Sequence, residues 1–218
     1  MDPIYNIIFD LGGVIYDIRY ENIAEAFVRH GVKDLGEFYS RNFQTSEMDR
    51  FEEGLMTEEA FRDYVRKATH SSLKDEEIDE IINAILVDIP SHRIALLLAL
   101  RQKYRVFLYS NTNQTNYLCY THGMKEKYGF DIFERCFDKA YFSHIMHIRK
   151  PKREGFQMIS QEQHLDPAHT VFIDDNMPNV EAAIAAGLHG CYLNPDNDVN
   201  TLFDDRFNFR VEMMDING

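Results

Sequence analysis

Hydrophobic positions along the chain fall into two kinds of run. Five runs are short and largely apolar: Tyr5 to Phe9, Arg105 to Tyr109, the weaker Phe137 to Phe142, Thr170 to Ile173 and His189 to Leu193. Such runs, carrying β-branched and aromatic side chains, suit strands buried on both faces, as in a parallel sheet. Between them the apolar positions recur at helical spacing. Ser91 to Lys103 places Ile94, Leu97, Leu98 and Leu100 behind Pro90, Lys152 to His164 carries Phe156 and Ile159, and Pro178 to Ala186 stops at Gly187, a C-cap signal. Strands alternating with helices predict an α/β fold built on a parallel sheet.

The stretch from about Tyr20 to Asp88 breaks this alternation and shows no convincing strand. Asn22 to His30 predicts a helix closed by Gly31. Thr57 reads as an N-cap before Glu58 and Glu59, with Phe61, Tyr64 and Val65 on one face. Ile78, Ile81, Ile82, Ile85 and Leu86 mark an amphipathic helix. The expected organisation is a core of residues 1–17 and 89–218, with residues 18–88 inserted after strand one as a helical cap. A cap over a ligand site and a mere packing layer have the same periodicity.

Composition narrows the function classes. The chain has 218 residues and a formal net charge of -13, which argues against nucleic acid or an anionic membrane as partner. A small anionic substrate stays open, because a local site can differ in sign from the whole. No segment is apolar enough to span a membrane, and the first residues lack the basic and apolar regions of a signal peptide. Cys119, Cys136 and Cys191 have no paired spacing and read as reduced thiols, so a cytoplasmic protein is expected. Nothing in the pattern fixes an oligomeric state.

Ligands of open parallel sheets bind beyond the carboxyl ends of the strands. Strand one ends in Asp10, the Arg105 strand in Ser110-Asn111-Thr112, and the Thr170 strand in Asp174-Asp175-Asn176. Lys150 stands before Pro151 and so belongs to a loop. Each piece alone is ordinary turn or surface chemistry. In combination, carboxylates from two strand ends make an oxygen-rich site suited to Mg²⁺, while a serine, backbone amides and a lysine supply donors for phosphoryl oxygens. Gly12 and Gly13 let the backbone pass close to a ligand.

The motifs FDLGGV at Phe9, YSNT at Tyr109, RKP at Arg149 and FIDDN at Phe172, in that order, resemble the haloacid dehalogenase superfamily, whose members are mostly Mg²⁺-dependent phosphatases. The resemblance implies a Rossmann-like core with a helical cap after strand one, and a small phosphorylated substrate. It implies Asp10 as nucleophile and metal ligand, and the Gly12 carbonyl as a further ligand. Ser110 and the amide of Asn111 would hold the phosphoryl group, Lys150 would neutralise charge, and Asp175 would bind metal with help from Asp174.

One departure matters. Most phosphatases of the superfamily carry a second Asp two residues after the nucleophile, as general acid and base; here that position is Gly12. Such a group commonly contributes ~10²–10⁴-fold. The pattern FDLGGVIYDI and the segment FEEGLMTEEAF are similar to the branch containing α-D-glucose-1-phosphate phosphatase, which also lacks that Asp; a sugar phosphate with a good leaving group is therefore expected. An L-2-haloacid dehalogenase and a non-catalytic module binding a phospho-ligand are the alternatives, the former disfavoured by the retained Asp174 and Asp175. Asp17, Glu52 and Glu53 are candidate replacement acids but read first as solvated side chains. His144 and His147 stand at a zinc-like spacing with no third ligand and read as surface or loop histidines. Tyr16, Tyr20 and Phe51 are candidate substrate contacts. Asn113 to Tyr120 is expected to open a helix bordering the site, and Asp204-Asp205 to be solvated.

Overall fold

The computed structural model describes residues 3–32, 35 and 45–214. Its strands are β1 (Asn6–Phe9), β2 (Asp17–Ile18), β3 (Leu86–Asp88), β4 (Arg105–Ser110), β5 (Lys139–Phe142), β6 (Thr170–Asp174) and β7 (His189–Tyr192). Its α-helices are α1 (Glu21–Arg29), α2 (Ser46–Glu52), α3 (Glu58–Ala68), α4 (Asp75–Asn83), α5 (Ser91–Leu100), α6 (Gln114–Tyr128), α7 (Ile132–Cys136), α8 (Ser143–Met146), α9 (Arg153–Gln163) and α10 (Met177–Ala185).

Five strands form one parallel sheet in the order β5-β4-β1-β6-β7. The period of two along each strand divides the core. Ile7, Phe9, Val106, Leu108, Val171 and Ile173 pack into the cluster on one face of the sheet, and Ile8, Phe107, Tyr109 and Phe172 into the cluster on the other. Burial on both faces is why these strands read as continuous apolar runs. After β1 the chain adds β4 and β5 on one side, then crosses back to place β6 on the other. The crevice where the direction reverses lies at the carboxyl ends of β4, β1 and β6, the place where open α/β sheets take ligands.

Helices α1 to α4 are inserted between β1 and β4 and share a core of their own. Phe27, Phe51, Phe61, Val65, Ile78 and Ile81 are fully or almost fully buried there, with Phe51 and Phe61 stacked at 4.1 Å between ring centroids. Thr57 caps α3 by accepting from the Ala60 amide, as the sequence predicts, and Thr45 caps α2 in the same way from Met48. Residues 33–34 and 36–44 of the expected cap lie outside the described residues.

The stretch read as free of strands contains one. Leu86–Asp88 pairs antiparallel with Asp17–Ile18, and α4 stops at Asn83, so Ile85 and Leu86 are not part of the helix. Three residues are too few to show a period, and their apolar side chains continued the helical pattern by coincidence. This ribbon carries both chain crossings between the sheet and the inserted helices. The strand expected over Phe137 to Phe142 begins at Lys139, because α7 extends to Cys136. Among the described residues no helix is long and apolar enough to cross a membrane, and Cys119, Cys136 and Cys191 form no disulfide.

Candidate active site

Asp10 follows β1 directly, and its amide donates to the Ile173 carbonyl of β6 at 2.9 Å, so the sheet ladder fixes its backbone. Asp174 is the last residue of β6 and fully buried. Three donors hold its carboxylate: the Asn176 amide at 2.8 Å, the Asn179 side chain at 3.0 and 3.2 Å, and Lys150 Nζ at 2.7 Å. The same ammonium donates to Asp10 Oδ1 at 2.6 Å. One lysine, 1% exposed, thus ties the ends of two neighbouring strands together, lying over the rings of Phe172 and Tyr109. Asp175 completes the cluster, and ligand oxygens of Asp10, Asp174 and Asp175 all lie within 4.8 Å of one another.

Lys150 is not solvated, as a lysine before proline usually is. Its backbone is clasped by the Asn111 side chain, which accepts from the Lys150 amide at 2.9 Å and donates to its carbonyl at 3.0 Å. That spends the Asn111 side chain on positioning and leaves its backbone amide for a ligand. Ser110 ends β4 and is 2% exposed, with its hydroxyl 3.3 Å from the Asn111 carbonyl, longer than an ordinary O–H···O bond. Ser143 braces this loop through the amide and carbonyl of Thr112. Gly13 sits at φ +79°, and a Cβ there would run into the Asp175 carboxylate; only glycine lets the turn pass so close. Gly12 lines the same cavity.

Charge in the cluster is unbalanced: three carboxylates face one ammonium. Burial pushes the Asp10 carboxyl up to about 8 against the pull of Lys150, with Asp174 and Asp175 adding repulsion. Asp175 rises to about 6, from burial and then from Asp174. Burial alone would lower the Lys150 ammonium, but Asp10 and Asp174 outweigh it and hold it above the ordinary lysine value. Oxygen donors in excess of positive charge fit a hard divalent cation such as Mg²⁺.

The cluster opens into a cavity of about 260 Å³ between the sheet edge and the inserted helices. Ser110, Asn111, Asn113, Asn116, Arg149 and Asn179 line it from the sheet side, Tyr16 and Ile18 from the stretch after β1, and Tyr20, Ile23, Met48, Glu52 and Ile82 from the inserted block. Helix α6 opens at Asn113 as expected, and Asn116 crosses to the inserted block, donating to Asn83 Oδ1 at 2.9 Å and to the Ile82 carbonyl at 3.2 Å.

Several sequence expectations change here. Glu52 and Glu53 are not solvated: Glu52 accepts from Arg149 at 2.9 and 3.0 Å, and Glu53 is buried and paired with Lys152. Asp17 lies outside the cavity lining and pairs with Arg93 at 2.7 Å. Phe51 is core of the inserted block, away from the cavity, because it stacks on Phe61. His144 is 6% exposed beside Tyr117 and Phe142, not a surface residue, while His147 Nδ1 faces the Glu53 carbonyl at 2.9 Å. Asn179 and Arg149 were missed as partners. An asparagine one helical turn after the acidic strand end was the available signal for Asn179; Arg149 had none, since its partners are distant in sequence.

Known proteins resemble this chain in sequence and in fold. A family model described as haloacid dehalogenase-like hydrolase matches residues 5–187. A D-ribitol-5-phosphate phosphatase of Bacteroides thetaiotaomicron is 30% identical over 187 residues, 85% of this chain and 89% of that protein. A sesquiterpene phosphatase of Aspergillus oryzae is 28% identical over 190 residues, 85% of this chain and 88% of that protein. A solved structure of a HAD family enzyme from Bacteroides thetaiotaomicron, in complex with magnesium and inorganic phosphate, superposes with a TM-score of 0.83 at 33% identity, covering 92% of this chain and 100% of that one.

Proposed function

Because the chain belongs to the haloacid dehalogenase-like hydrolase family, we propose that it is a Mg²⁺-dependent phosphatase of a small phosphorylated metabolite, a sugar or polyol phosphate. The observation that carries this reading is the buried Lys150 ammonium bridging Asp10 and Asp174, with Asp175 beside them and the cavity in front. Two relatives named as phosphatases and a neighbour holding magnesium and phosphate support it. Residues 1–17 and 89–218 act as the catalytic core in this reading, and 18–88 as its cap.

Asp10, Asp174 and Asp175 would hold the Mg²⁺, with the Gly12 carbonyl as a further oxygen. Bound there, the cation draws charge from the phosphoryl oxygens, so that an anionic nucleophile can approach an anionic ester. Ser110 and the Asn111 amide orient the phosphoryl group, and Lys150 offers its positive charge to Asp10 and to the phosphoryl oxygens. Asp10 then attacks phosphorus: an Asp10 O–P bond forms, the ester P–O bond breaks, and the leaving oxygen takes a proton from water. Water cleaves the aspartyl phosphate, returning the Asp10 carboxylate and inorganic phosphate. Gly12 supplies no proton, which favours esters whose leaving oxygen departs readily.

The test is phosphate release from a panel of anomeric sugar phosphates, primary polyol phosphates and nucleotides, with Mg²⁺ or EDTA. Release with Mg²⁺ should fall to background with EDTA and in Asp10→Asn. Release indifferent to either would refute the reading, and chloride release from L-2-chloropropionate without metal would support the dehalogenase instead.

A further inference from the structure

Glu52 ends helix α2 and lines the cavity from the inserted block. Its side chain is 20% exposed and held from one side only: Arg149 Nε and Nη2 both donate to Oε2, at 3.0 and 2.9 Å. No described group donates to Oε1, and that atom is not sealed from solvent. Arg149 Nη1 meanwhile forms an ion pair with Asp49 Oδ1 at 2.8 Å, so a charge contact between α2 and the Lys150 loop exists without Glu52. Burial holds the Glu52 carboxyl above its ordinary value despite Arg149 and Lys150.

When a substrate fills the cavity it expels the water that serves Oε1, and a carboxylate oxygen stripped of its donor is costly. The occupant must then supply a donor at that wall. Arg149 already supplies the Glu52 carboxylate with a balancing cation, so the occupant need only donate a hydrogen bond. A hydroxyl is neutral and donates, and the asparagines Asn113 and Asn116 make the adjoining wall polar as well. Resting on the phosphatase reading, we propose that Glu52, oriented by Arg149, is a specificity residue that accepts a hydrogen bond from a hydroxyl of the leaving group, so that this chain takes polyhydroxylated phosphate esters and rejects apolar ones. The two named relatives stand on opposite sides of that choice, one named for a polyol phosphate and the other for a sesquiterpene.

The experiment compares kcat/KM for ribitol 5-phosphate and n-pentyl phosphate in the wild type, Glu52→Gln and Glu52→Leu, all with Mg²⁺. The wild type should prefer the polyol ester. Glu52→Leu should lower kcat/KM for it by roughly 10–100-fold while pentyl phosphate stays within about threefold. Glu52→Gln, isosteric and still an acceptor, should fall between, and it keeps the test readable if the leucine variant unfolds. A merely structural Glu52 would lower both substrates in parallel, and that result overturns the assignment, as does a wild type indifferent to the hydroxyls. No phosphate from either ester in the wild type would instead overturn the phosphatase reading beneath it.

Discussion

Two adjacent glycines after the candidate nucleophile do different work. At Gly13 the backbone is left-handed, and the space a Cβ needs is taken by the Asp175 carboxylate. Gly13→Ala therefore combines roughly 1–2 kcal/mol of backbone strain with displacement of Asp175, a proposed metal ligand. Its expected signature is loss of the Mg²⁺-induced rise in Tm, measured by thermal unfolding with and without the cation; an unchanged rise would disconnect Gly13 from the metal site. Gly12 has an ordinary backbone conformation, but a Cβ there would stand 3.1 Å from Ile18 Cδ1 of β2. A carboxylate at position 12 would have to push Ile18 aside, and Ile18 belongs to the ribbon joining sheet and cap. Absence of the usual acid thus goes with tight packing at the junction.

Helix α2 is where the cap grips the core. Arg149 takes Asp49 and Glu52, Lys152 takes Glu53, and His147 faces the Glu53 carbonyl, so three residues of one core segment engage the end of α2 and its C-cap. On the other side Asn116 stitches α6 to the end of α4. Arg149→Ala leaves two partly buried carboxylates without their cation, an expected cost of ~1–3 kcal/mol. Amide exchange should accelerate across residues 46–52 while β1, β4 and β6 keep their protection. Uniform acceleration over the whole chain would mean that Arg149 supports the fold generally and not this contact.

For the molecule as a whole, the carboxylate cluster links stability to pH and metal. Asp10 titrates at about 8 in the folded chain against an ordinary 3.8, so between those values the folded state holds more protons than the unfolded one. Stability without metal therefore falls as pH rises through that window, and Asp175, raised to about 6, adds the same sign. Mg²⁺ held by the deprotonated cluster, as proposed, would reverse the loss. At ~100 times its Kd it should raise Tm by roughly 5–10 °C, more near pH 8 than near pH 5. Calorimetry in EDTA and in Mg²⁺ across that range checks this. In EDTA, Asp10→Asn should flatten the slope; an undiminished slope would place the linkage elsewhere.

Much of this was legible in the chain. Runs such as TVFI and IIF announce strands buried on both faces, and the acids, serine and lysine that follow them have the chemistry of a phosphoryl site. Local sequence determines these features because strand burial and turn chemistry act over a few residues. It could not place Glu52 against Arg149, 97 residues away, or Lys150 against Asp10, 140 residues away. Nor could it tell Leu86, which starts a short strand, from the helical residues before it. Those pairings are set by sheet order and by how the inserted helices seat on its edge. The sequence determines which groups are available, while the crossover that puts β4 and β6 on either side of β1 decides which of them meet.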